Sequence, residues 1–156
     1  MTRPDLSDWR FALPWPGPEA HKHARGRLGV VSGKATQTGA ARLAARAGLR
    51  IGAGVVRILC PPDAAAVIAP AIEAIMLTSF GSEEALAEAA TNLDAVVIGP
   101  AAGVTDSTQA NVRALAGTGA ALVVDADGLT VFEGWPDDLF EVLDRDDVLT
   151  PHEGEF

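Results

Sequence analysis

A chain of 156 residues with 48% hydrophobic content, a mean hydropathy of +0.19 and a net charge of −9 has the composition of one globular domain able to bury a sizeable core. The acidity disfavours nucleic acid as a partner. Cys60 is the only cysteine, so neither an intrachain disulfide nor a cysteine metal cluster is open to the chain. No apolar run has the length of a membrane span or the layout of a secretory leader, and a cytoplasmic protein is expected.

The charges are segregated. Up to Arg57 there are ten Lys and Arg against three Asp and Glu, a net of +7; beyond it there are two against eighteen, a net of −16. Such asymmetry marks either an anion-facing half or drift among surface helices.

Residues 1–20 set Pro4, Pro14, Pro16 and Pro18 among Trp9, Phe11 and Trp15, the pattern of an extended arm whose aromatics dock on something. Residues 21–156 then form the domain proper. His21, Lys22, His23, Arg25 and Arg27 make a basic cluster that either faces phosphates or is simply solvated. The run 28–32 is short, apolar and β-branched, and reads as a strand closed by Gly33. A polar loop at 34–38 opens into a helix at Gly39. That helix carries Arg42, Arg46 and Arg50 on one face, expected in solvent, and Leu43, Ala47 and Ile51 as an apolar stripe on another. Gly52 and Gly54 end it, and 55–59 begins a second strand, so the unit predicts a parallel pair.

Further along, 63–69 reads as a short helix capped by Asp63, 74–80 as a third strand, 82–91 as a helix and 93–98 as a fourth strand. The turn GPAAG at 99–103 leads to a helix at 107–116 and a strand at 120–124. The motif DADG at 125–128 starts a turn, with a helical turn over 129–133, a connection over 135–147 and a last strand at 148–150. Alternation of this kind predicts a three-layer α/β fold with a mainly parallel sheet. Ligands bind such sheets beyond the strand carboxyl ends, where all the unusual loops of this chain fall.

Four stretches carry the candidate chemistry. SGKATQTGAA at 32–41 feeds a helix N-terminus, which suits an anionic group or is an ordinary turn; it has neither a Walker nor a Rossmann signature. GPAAG is a side-chain-poor turn expected to leave backbone amides open to a substrate. Asp125 ends a buried strand, in position to order a hydroxyl or hold Mg²⁺ through water, and Asp127 either joins it or caps a helical turn. TPHEGEF at 150–156 holds His152 in a loop after a proline.

These stretches, together with HKHARG at 21–26, VVSG at 30–33, the segment TGAARLAARAGLRIGAGVV and CPP at 60–62, resemble the ADP- or ATP-dependent (S)-NAD(P)H-hydrate dehydratases. The resemblance covers 21–156 and implies a ribokinase-like fold. It departs from the family at Ala101 and Ala102, where GPGLG is usual, and at Glu153, where proline is frequent. It implies that ADP or ATP, with Mg²⁺, phosphorylates the hydroxyl added to a hydrated nicotinamide ring and that phosphate elimination restores NAD(P)H. It also implies that Ala40, Gly103, His152 and Asp125 hold the hydrate and that the intact protein is a homo-oligomer. The family's catalytic aspartate lies in a GTGD segment absent here and expected beyond Phe156, so the fold is expected to be incomplete at its C-terminus and this stretch alone inactive. Two alternatives stand beside this reading: a thiazole or sugar kinase of the same fold, and a non-catalytic binding module.

Overall fold

A computed structural model describes residues 16–155. Trp9, Phe11 and Trp15 of the predicted arm lie outside the described residues, as does Phe156. The chain enters through exposed residues 16–20 and a 3-10 turn, Lys22–Arg25. It then alternates strand and helix: β1 (Arg27–Val31), α1 (Gly39–Ile51), β2 (Val55–Cys60), α2 (Pro62–Ile68), β3 (Met76–Ser79), α3 (Glu83–Ala90), β4 (Ala95–Ile98), α4 (Asp106–Ala116), β5 (Ala121–Val124), α5 (Asp127–Thr130), α6 (Pro136–Phe140) and β6 (Val148–Leu149). The connection expected over 135–147 thus contains a helix, started by Pro136 at a position where a missing N–H costs nothing.

All five strand pairings are parallel and the order is β3-β2-β1-β4-β5-β6. From β1 the chain winds outward through β2 and β3, then crosses back to β4 and winds the other way. That reversal opens the sheet's carboxyl edge between β1 and β4, the place where such sheets accept ligands.

Alternation along each strand divides the core between two faces. Leu59, Val96, Ile98, Leu122 and Val124 lie under α3 and α4 with Leu86, Val112 and Leu115, while Val30, Val56 and Ile58 lie under α1 and α2 with Ala41, Ala45 and Ile68. Each fully buried Leu, Ile or Val contributes about 1.5–3 kcal/mol. The second face thins out beyond β1. Val97, Val123 and Val148 stand in one register row across β4, β5 and β6, and the first two are only half-buried while Val148 is exposed.

Helix α1 corrects one expectation. Its buried side is Ala41, Ala45 and Gly48, whereas Leu43 and Ile51 are 68% and 76% exposed. The reason is steric: the sheet presents Leu28 directly beneath Gly48, where an added Cβ would overlap it, so the small residues take the seat and the larger ones turn outward. The arginines are not uniformly free. Arg50 is exposed, but Arg46 donates to the Ala71 carbonyl at 2.9 Å and Arg42 is half-buried. Gly52 closes α1 at φ +117, as expected, but Gly54 serves close packing instead, because a Cβ there would overlap the Lys22 carbonyl oxygen. Helix α2 is entered through Pro61 rather than capped by Asp63, whose carboxylate accepts the Ala35 amide at 3.1 Å. Asp63 therefore ties down the loop that follows β1.

Candidate functional site

Over the carboxyl ends of β1 and β4, and reaching the loops after β2 and β3 at Pro61, Pro62 and Phe80, lies a cleft of about 290 Å³. Ser32, Gly33 and Gln37 line it from the β1 loop, and Ala102, Gly103 and Thr108 from the β4 turn and the start of α4. The loops forming it touch backbone to backbone. A Cβ on Gly33 would overlap the Ala101 carbonyl oxygen, and one on Gly99 would overlap the Asp125 carbonyl oxygen and stand 2.8 Å from the Gly128 nitrogen. Glycine at these two positions is what lets the turns after β1, β4 and β5 close on one another.

The turn itself is bent by backbone. Ala102 N–H donates to the Gly99 carbonyl at 2.9 Å, with Pro100 at the second position and a positive φ of 60° at Ala101, the pattern of a type II turn. Gly103 follows at φ +89. Its amide is not open to a ligand, contrary to expectation: it donates to Asp127 Oδ2 at 2.7 Å, while its carbonyl accepts from Thr108 Oγ1 at 2.6 Å. What Gly103 offers the cleft is a bare surface, since a Cβ there would meet nothing closer than Thr105 Cγ2 at 3.8 Å. Thr105 in turn caps α4, its Oγ1 accepting the Thr108 amide at 3.2 Å.

The four expected site residues occur at the carboxyl ends of four successive neighbours in the sheet. Ala40 follows β1 in the first turn of α1 and is half-buried; Gly103 follows β4; Asp125 ends β5; His152 follows β6. Three strand spacings separate the first from the last, about 14 Å. They do not share one cavity: Gly103 lines the cleft, whereas Ala40, Asp125 and His152 stand outside its lining.

Asp125 is half-buried, and its main chain locks the turn, accepting from Gly128 at 2.9 Å and donating to Ile98 at 3.1 Å. Asp127 heads α5, but its carboxylate reaches across to the β4 turn instead of capping that helix. His152 is 74% exposed at the side chain. The Gly154 amide donates to its Nδ1 at 3.0 Å, which places the imidazole proton on Nε2, 3.0 Å from Glu155 Oε1. Glu155 also accepts the His152 amide at 3.1 Å. Glu155 is a site partner that the motif itself signals, as a carboxylate three residues after a histidine in a tight loop.

The basic cluster lies elsewhere. Lys22–Arg25 is exposed and packs its main chain against the amino ends of the strands, Gly54 donating to the Arg25 and Gly26 carbonyls at 3.3 and 3.0 Å. It is a solvated arm at the end of the sheet opposite the cleft. Lys34, exposed at the cleft mouth, is the cation that lines it. Among the described residues no three His, Cys, Asp or Glu side chains converge as a metal site, and no helix is long and apolar enough to cross a membrane.

A family profile described as NAD(P)H-hydrate dehydratase matches residues 28–156. A bifunctional NAD(P)H-hydrate repair enzyme of Salinibacter ruber is 37% identical over 91% of this chain, which spans 29% of that relative. Among solved structures, an ADP/ATP-dependent NAD(P)H-hydrate dehydratase from Bacillus subtilis, co-crystallised with ATP and Mg²⁺, superposes with a TM-score of 0.71 at 25% identity, covering 92% of this chain and 50% of its own. A ribokinase-like superfamily protein from Enterococcus faecalis V583 superposes with a TM-score of 0.76 at 19% identity, covering 92% of this chain and 51% of its own. The chain thus spans between about 29% and 51% of the length of these three proteins. With the matched segment taking in all six strands and every loop at their carboxyl edge, the chain belongs to the NAD(P)H-hydrate dehydratase family and has its ribokinase-like fold.

Proposed function

We propose that this chain forms the hydrate-binding part of a nucleotide-dependent (S)-NAD(P)H-hydrate dehydratase, a metabolite-repair hydro-lyase working in the cytoplasm. The observation that carries the reading is the placement of Ala40, Gly103, Asp125 and His152 at the carboxyl ends of β1, β4, β5 and β6, four adjacent strands. A row about 14 Å long suits an extended dinucleotide better than a compact sugar. Gly103 supplies a surface without a side chain on which a flat ring can rest, and Ala40 keeps the entry to α1 narrow. Asp125 is placed to order a hydroxyl of the substrate, and His152 presents an Nε2–H donor when Glu155 releases it.

The described residues provide a crevice for the substrate, but no Walker-type phosphate cradle and no carboxylate cluster for Mg²⁺. In this proposal ADP or ATP, Mg²⁺ and the aspartate that takes the hydroxyl proton belong to the part of the relatives' length that this chain does not span. The nucleotide, when bound, supplies the phosphoryl group that makes the hydroxyl a leaving group. The residues present here bind and orient the hydrate and keep its ring edge facing that group. The working assembly is proposed to be a homo-oligomer.

The test is calorimetric binding of NADPH hydrate to the chain, with NADPH as the control. Saturable binding that weakens about tenfold in His152→Ala supports the reading. Equal affinity for NADPH, or no binding of either, overturns it. Consumption of ATP that leaves a stable phosphorylated alcohol would establish a kinase instead. Robust hydrate turnover by the chain alone would refute the division of labour.

A further inference from the structure

The β4 turn and the neighbouring β5 turn each hold one residue in a shape it does not favour. Gly99, Ala101 and Gly103 all have positive φ, and so does Ala126 in the neighbouring β5 turn, at 47°. Two of these four are alanines, for which that region is strained. Such backbone persists only when its surroundings over-determine it. Two side chains do so here. Thr108 Oγ1 donates to the Gly103 carbonyl from within α4, and Asp127 Oδ2 accepts the Gly103 amide from the adjacent β5 turn, 24 residues away in sequence. The Asp127 contact is short, 2.7 Å, and charge-assisted. It also links the two strained turns, because Asp127 immediately follows Ala126.

We propose that Asp127 is a positioning residue: its carboxylate braces the β4 turn against the β5 turn and so sets where the bare surface of Gly103 stands in the cleft. It acts through Gly103 and not by touching substrate or metal, which separates its role from that of Asp125 two residues earlier. The inference rests on the hydrate-binding reading of the Gly103 turn. The brace itself is a statement about one amide proton and is measurable without any ligand.

The experiment uses the 156-residue chain and its Asp127→Ala and Asp127→Asn variants, each first shown to be folded by circular dichroism. Hydrogen exchange followed by NMR reports the Gly103 amide directly. Its protection should fall at least tenfold in Asp127→Ala and be largely kept in Asp127→Asn, whose side-chain carbonyl still accepts. Binding of NADPH hydrate should weaken about tenfold in Asp127→Ala and by no more than about threefold in Asp127→Asn. Unchanged Gly103 exchange in Asp127→Ala overturns the brace. Lost protection with unchanged hydrate affinity overturns the positioning role. Failure of the unsubstituted chain to take up hydrate overturns the proposed function, and the exchange data still decide the brace.

Discussion

Glycine and alanine exchanges within the five-residue turn 99–103 should act in opposite directions. Gly99 has φ +123, and a Cβ there would overlap the Asp125 carbonyl oxygen and stand 2.8 Å from the Gly128 nitrogen. Gly99→Ala therefore imposes backbone strain of about 1–3 kcal/mol and overpacking of about 1–3 kcal/mol against atoms that are backbone and cannot rotate away. The sum, about 2–6 kcal/mol, lowers the melting temperature by roughly 5–20 °C in a chain of this size. Ala101 is the reverse case, an L-residue held at φ +60 in the third position of a type II turn. Ala101→Gly relieves about 1–2 kcal/mol of left-handed strain and gives back about 0.4–1 kcal/mol through the greater freedom of the unfolded chain. A net gain of about 0.5–1 kcal/mol is expected. Urea unfolding followed by tryptophan fluorescence measures both as shifts in midpoint at constant slope. A Gly99→Ala variant within about 0.5 kcal/mol of the unsubstituted chain, or an Ala101→Gly variant less stable than it, would refute the reading of this turn.

Three further outcomes are expected. The Arg27 guanidinium, paired with Asp94 at 2.9 Å, holds the Asp94 carboxyl below its ordinary value, so its contribution is present above about pH 4 and is lost as pH falls through the lowered native value; Asp94→Asn should flatten the acid limb of a urea-midpoint profile, and an unchanged limb would count against it. Burial pushes the Cys60 thiol up, with Asp63 adding to the effect, so the native chain at pH 8 should react with an aromatic disulfide reagent only as fast as it opens; rapid stoichiometric labelling would contradict the packing under α1 and α2. On α1, Leu43→Lys should change stability by less than about 0.5 kcal/mol while Ala45→Leu should cost about 1–3 kcal/mol, and the opposite ranking would restore the apolar stripe expected from sequence.

The strand and helix alternation, the parallel sheet and the location of every candidate loop at a strand carboxyl end were legible because they rest on local signals: β-branched runs, glycine stops and helix-starting residues such as Ser82, which caps α3 as its position before Glu83 and Glu84 suggests. The face of α1 was not legible. Its sequence offers an alanine stripe and a leucine stripe at the same period, and only the bulk of Leu28 on the sheet decides which one is buried. The partners of the two aspartates were equally hidden. Asp63 reads as a local cap and Asp127 as either a cap or a companion to Asp125, and both instead reach across to a neighbouring loop, Ala35 and Gly103 respectively. An amide 24 or 28 residues away leaves no trace in local spacing, whereas a helix start does. By itself, then, the sequence determined the order of elements, the family and the edge of the sheet where the candidate site lies, since hydrophobic period and turn chemistry act within a few residues. Which carboxylate braces which turn, and that the Gly103 amide is occupied rather than offered, was decided by the β3-β2-β1-β4-β5-β6 order, which sets the β4 and β5 turns side by side.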